Sequence, residues 1–119
     1  MNIDEVENFI SSFLEKNNLK IQDIDFVVLG NNGDINFDTY YTAVGSLFSQ
    51  IPQVYYKHLC GEFNTASAFG FWVAASVLRN QAIPQIVKMN SIEKANFSKV
   101  LLYNQFQGKD HSLVLLSKC

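Results

Sequence analysis

The sequence predicts an α/β domain with a mixed sheet, a buried central helix and an antiparallel hairpin at its C-terminus. Three observations carry that expectation. Helical and strand-like apolar patterns alternate along most of the chain. The run "IDFVVLG" is continuously apolar and β-branched, as in a strand covered on both faces. Two apolar runs, "KVLLYNQF" and "HSLVLLSK", flank the turn-forming "QGKD", the pattern of a β-hairpin. At 119 residues the chain is expected to form one domain, 1–119, large enough to bury a core without metal or disulfide.

The elements follow in order. "IDEVENFISSFLEKNNL" sets Ile3, Val6, Phe9, Ile10, Phe13 and Leu14 at helical spacing. Asn2 and Glu5 fit a capping box, and the asparagine pair fits a left-handed helix end. The strand "IDFVVLG" stops at Gly30, and "NNGD" reads as a loop. Asp38 fits an N-cap, and Tyr41, Val44, Leu47 and Phe48 form one helical face. "PQVYYK" is expected to be a short second strand. "NTASAFGFWVAASVLRNQ" is expected to be the fully buried helix, its small residues Gly70, Ala74, Ala75 and Ser76 admitting a close neighbour. Pro84 ends that segment, and "QIVKMNSIEKANFS" reads as a long irregular loop before the hairpin.

Composition excludes several classes. Hydrophobic residues make up 48% and charged residues 17%, which fits a packed globular chain rather than a disordered one. The net charge of -2 with scattered lysines gives no basic face for nucleic acid. The ten phenylalanines exceed ordinary use, and some rings are expected at an interface. Cys60 and Cys119 lie far apart without CxxC spacing, so a reduced, cytoplasmic setting is expected. The acidic, amphipathic start does not read as a signal peptide, and the uncharged stretch 66–78 is too short to span a membrane. There is no GxGxxG, no P-loop and no acid–histidine set at metal spacing, so no cofactor is indicated.

Four local motifs resemble a known family. "DIDFVVLGNNGDINFD" is similar to D-Y-[IV]-N-A-H-G-T-S-T-P-L-N-D, with Asp25 and Asp38 in register. "KHLCGE" is similar to K-S-x-x-G-H through Lys57 and Gly61. "SVLRNQAIP" is similar to A-L-R-x-G-x-I-P through Leu78, Arg79, Ile83 and Pro84. "YNQFQGKDHSLVL" is similar to S-F-G-F-G-G-T-N-A-S-L-V-L through Phe106, Gly108 and the last strand. In this order they resemble, from Ile24 onward, the C-terminal half of β-ketoacyl-acyl-carrier-protein synthases, condensing enzymes of the thiolase superfamily. The resemblance implies a thiolase-like half-domain, degenerate at its chemical positions.

In that family a cysteine of the N-terminal half carries the acyl thioester. Two histidines of the C-terminal half steady the enolate formed when a malonyl thioester loses carbon dioxide. Carried over residue by residue, those histidine positions hold Gly30 and Glu62. Glycine donates nothing from a side chain, and an ionised carboxylate only accepts hydrogen bonds and repels an enolate. Loss of one oxyanion donor costs about 3–4 kcal/mol of transition-state stabilisation. The flexible G-F-G-G gate becomes "QFQG", in which Phe106 can still cover a pocket but two glycine hinges are gone.

Each remaining candidate has a plain reading beside its chemical one. Lys57, at the family lysine, is expected to pair with Glu62 or another acid; the plain reading is a solvated lysine at a strand end. Cys60 follows Lys57 and His58 closely enough for an activated thiolate, although small cysteines are commonly buried and inert. His58 reads as a loop histidine and His111 as a sheet-face side chain. Asn31, Asn32, Gly33 and Asp34 follow the first strand, where open α/β sheets bind ligands; the plain reading is a polar turn.

Three functions compete on the sequence. The first is a β-ketoacyl synthase-like protein of fatty-acid or polyketide assembly, non-catalytic alone or acting as a partner subunit. It implies a homodimer or an N-terminal-half partner, with acyl carrier protein as a further partner. The second is a fragment or subunit of an active 3-oxoacyl-acyl-carrier-protein synthase (an acyltransferase) completed by a separate N-terminal half. The third is a small α/β binding or scaffolding module that keeps only the fold.

Overall fold

The computed structural model describes residues 3–30, 38–55, 66–90, 92, 94, 96–106 and 110–118, the side chains at 3, 38, 66–69, 105, 106 and 110 excepted. The elements are α1 (Ile3–Lys16), β1 (Phe26–Leu29), α2 (Asp38–Leu47), β2 (Gln53–Tyr55), α3 (Ala66–Asn80), β3 (Lys99–Phe106) and β4 (Asp110–Ser117). This is the order expected from the sequence. The four strands form one mixed sheet in the order β2-β1-β3-β4. β1 runs parallel to both β2 and β3, and β4 is antiparallel to β3.

The winding explains which helix covers which face. The chain steps outward from β1 to β2, then returns across β1 to reach β3. A crossover of fixed hand that reverses direction must change face. Accordingly α2 joins α1 on one face and α3 covers the other. Phe26 and Val28 of β1, with Val100 and Leu102 of β3, pack against Val73, Ala74, Val77 and Leu78 of α3. Val27, Leu29, Leu101 and Tyr103 point the other way, into Val6, Ile10 and Leu14 of α1, Tyr41 and Val44 of α2, and Phe48 just after it. β1 is buried at every position, as its unbroken apolar run requires. Burial of each such large side chain contributes about 1.5–3 kcal/mol.

Local chemistry sets the ends. Asn18 takes φ 57°, and the Leu19 N–H donates to the Leu14 carbonyl at 2.9 Å, closing α1 in a Schellman turn. Gln81, also at φ 57°, terminates α3. Its side-chain amide donates to the carbonyls of Leu78 (2.6 Å) and Phe97 (2.8 Å) and accepts from the Phe97 N–H (2.8 Å). One side chain thus caps the helix and pairs with the segment entering β3. Asp25 does the equivalent at the start of β1. Its carboxylate accepts from the backbone N–H groups of Ser98 (2.7 Å) and Lys99 (3.0 Å) and from the Lys94 ammonium (2.7 Å). Burial pushes this carboxyl up, but the Lys94 hydrogen bond and the two backbone donors outweigh it, and the net shift is below the ordinary 3.8.

Two expectations are corrected. The central helix is not fully buried: Val73, Ala74, Val77 and Leu78 face the sheet, while Phe71 and Trp72 are 44% and 63% exposed. A charge-free sequence cannot distinguish two covered faces from one, and α3 has a single sheet beneath it. The segment after Pro84 is not wholly irregular. It makes a 3-10 turn at Gln85–Val87, and Lys88 bridges to Val54. The Met89 N–H then donates to the Gln53 carbonyl at 2.8 Å, and Asn90 holds both the Gln53 N–H and the Ile51 carbonyl at 3.1 Å. The outer edge of β2 is therefore covered.

Candidate functional site

All three parallel strands present their C-terminal ends at one edge of the sheet. The connections leaving β1 and β2 lead to helices on opposite faces, the topological condition for a ligand crevice in open α/β sheets. Segments 31–37, 56–65 and 107–109 continue from these strand ends. Asn31, Asn32, Lys57, His58, Cys60, Glu62 and Gly108 lie outside the described residues, as does Cys119. So does the expected Lys57–Glu62 pair. Phe106 is placed as the last residue of β3, paired with Asp110, without its side chain.

Of the two positions that the motif resemblance aligns with histidine, Gly30 lies among the described residues, and its surroundings are specific. It is buried. A Cβ built there would overlap the Asn104 side-chain oxygen and come within 2.9 Å of the Tyr41 hydroxyl. These two groups hold one another: the Tyr41 hydroxyl donates to Asn104 Oδ1 at 2.9 Å. The space beside Gly30 is thus filled from α2 and from β3 by a hydrogen-bonded pair. Any larger residue at 30, histidine above all, must displace it.

A second polar pair adjoins the first on the same face of the sheet. Tyr103 and His111 sit on neighbouring strands, with Tyr103 Oη and His111 Nδ1 2.7 Å apart. Burial raises the Tyr103 phenol well above its ordinary 10.0, and the neighbouring Tyr41 and Tyr40 add to the shift. The phenol and the imidazole nitrogen share one hydrogen bond, whose direction follows the histidine tautomer. Tyr40 meets the imidazole edge-on at 5.1 Å, and Tyr41 meets Tyr103 at 5.4 Å. These contacts join the two pairs into one aromatic and amide cluster under the strand ends.

This cluster can order the edge of the sheet and exclude water. None of its side chains named above is a carboxylate, lysine or arginine, and the described residues hold no set of three or more histidine, cysteine or acid side chains placed to hold a metal. His111 is on the sheet face, as its alternation predicts. Tyr41 appears in the sequence only as part of an apolar stripe. Asn104 is the signal that was available: an amide in the middle of a strand run needs a partner. Comparison with protein-family models, with curated proteins and with solved structures gives no match for this chain.

Proposed function

We propose that this chain is a β-ketoacyl synthase-like protein of the thiolase type, non-catalytic alone and acting as a partner subunit in fatty-acid or polyketide assembly in the cytoplasm. The observation that carries the reading is the closed space at Gly30. The position that would bear the first enolate-stabilising imidazole has no side chain, and Tyr41 and Asn104 fill the room where one would go. Two further observations support it. The element order and the mixed sheet with its C-terminal hairpin agree with the half-domain that the motifs imply. The glycine of the A-L-R-x-G-x-I-P pattern falls on Gln81, whose φ of 57° is a conformation glycine adopts freely. Among the described residues no helix is long and apolar enough to cross a membrane.

On this reading the exposed rings of α3, Phe71 and Trp72, meet a second half-domain. The test mixes the chain with an N-terminal half of a β-ketoacyl synthase, an acyl carrier protein charged with an acyl group and another charged with malonate. A complex without a 3-oxoacyl product is expected. Product that is lost on Glu62→Gln would overturn the non-catalytic reading in favour of an active two-chain synthase. Absence of any complex with the half-domain or the carrier protein would remove the partner role and leave the binding-module reading.

A further inference from the structure

The two edges of the sheet are unlike each other. β2 has three residues, and the segment 88–90 covers its outer side. β4 has eight residues, pairs with β3 in one unbroken register, and has no other strand beside it among the described residues. Exposed edge strands are ordinarily blunted by lysine, proline, a bulge or short length. Between His111 and Ser117, β4 has none of these, and its centre reads Leu113, Val114, Leu115, Leu116.

The direction of its hydrogen bonds is fixed by the register. The Lys118 N–H donates to the Ser98 carbonyl at 2.8 Å, and Val100 pairs with Leu116 and Leu102 with Val114. Residues in an antiparallel pair alternate between bonding inward and outward. The backbone groups of Lys118, Leu116, Val114 and Ser112 therefore point at β3, and those of Ser117, Leu115 and Leu113 point away from it.

We propose that β4 is a self-association edge, pairing antiparallel with β4 of a second copy about a two-fold axis at Val114. The sequence of the strand fits that operator. Centred on Val114, Leu113 faces the partner's Leu115 in a hydrogen-bonded pair, the only parity the outward groups permit. Val114 faces the partner's Val114, covering a side chain that is 38% exposed in the single chain. At the ends Asp110 comes opposite the partner's Lys118, so the strand is complementary in charge to its own reverse. The pairing closes at two copies because the other edge of each sheet is already covered. The proposal rests on sheet topology and not on the functional reading, whose partner surface is α3.

The test is the solution mass of the full chain by light scattering and sedimentation across a concentration series. Twice the 13.5 kDa chain mass is expected. Leu115→Pro removes an outward N–H and leaves the β3 ladder intact, and Val114→Lys sets like charges side by side at the axis. Each should return the mass to one chain with an unchanged far-ultraviolet circular dichroism spectrum. If Leu115→Pro does not fold, Val114→Lys decides. Asp110→Lys should weaken association, and Asp110→Lys with Lys118→Asp should restore it. A wild-type mass of one chain at every concentration overturns the proposal. So does a two-chain mass that survives Val114→Lys, including one lost on Trp72→Ala, which would place the contact on α3. Failure of the charge swap to restore association overturns the Val114-centred register.

Discussion

Gly30→Ala adds one methyl group where the structure has no room for it. The new Cβ would lie 2.9 Å from the Tyr41 hydroxyl and closer still to Asn104. Asn104 must turn away, and the bond it accepts from Tyr41 is then lost. Tyr41 is 1% exposed, and forcing an extra carbon into a filled, buried site costs about 1–3 kcal/mol. Against this, alanine stiffens the unfolded chain and returns about 0.4–1 kcal/mol. The net loss is about 1–2 kcal/mol, or about 4–8 °C in Tm for a chain of this size. Asn104→Ala alone removes the hydrogen bond from Tyr41 and should cost about 0.5–1.5 kcal/mol. The double variant is the decisive member of the cycle. With the amide gone the tightest overlap is relieved, so the second substitution costs less than it does alone, and the coupling should reach about 1–2 kcal/mol. Urea unfolding of the four proteins measures it. Additivity within about 0.5 kcal/mol would mean that Gly30 and Asn104 do not share this space, and the argument from a filled position would fail.

Other outcomes follow from the same geometry. Gln81→Ala removes three hydrogen bonds and keeps the left-handed backbone, and should cost about 3 kcal/mol by chemical denaturation. Gln81→Gly loses the same bonds but relieves the backbone, so it should be about 1 kcal/mol less damaging than alanine. Asp25 has a folded pKa below its unfolded 3.8, so its contribution is fully present above that value and is lost as pH falls through the folded pKa. The Tm gap between wild type and Asp25→Asn should therefore be widest above pH 3.8 and should narrow on acidification below it; a gap constant with pH contradicts the assignment. Tyr103→Phe removes the hydrogen bond shared with His111 and should cost about 1 kcal/mol, measured by thermal melting.

Much of the fold was legible because its signals are local. The unbroken run from Phe26 to Leu29 means a strand covered twice, and Asn18 ends α1 as asparagine does. The two runs around "QGKD" pair as a hairpin with no slip. What the sequence hid depends on distance. Gln81 is a long polar residue with no intrinsic call for positive φ, and only its three bonds to Leu78 and Phe97 explain it. The burial of α3 was overstated because apolar content does not say how many layers surround a helix, and Trp72 lies on the uncovered side. The candidate site was half legible. A glycine where the resembled motif has histidine can be read from the sequence, but what fills the space beside it cannot. Tyr41 and Asn104 are 63 positions apart and meet only once β3 is registered beside β1.

The central claim is that no group at the Gly30 position steadies an enolate, and one assay addresses it directly. The purified chain, alone and mixed with a nucleophile-bearing N-terminal half, is incubated with a malonyl thioester labelled in its free carboxylate. Carbon dioxide release at the uncatalysed rate in both cases is the predicted result. Release well above that rate, abolished by Glu62→Gln or by filling position 30, would contradict it.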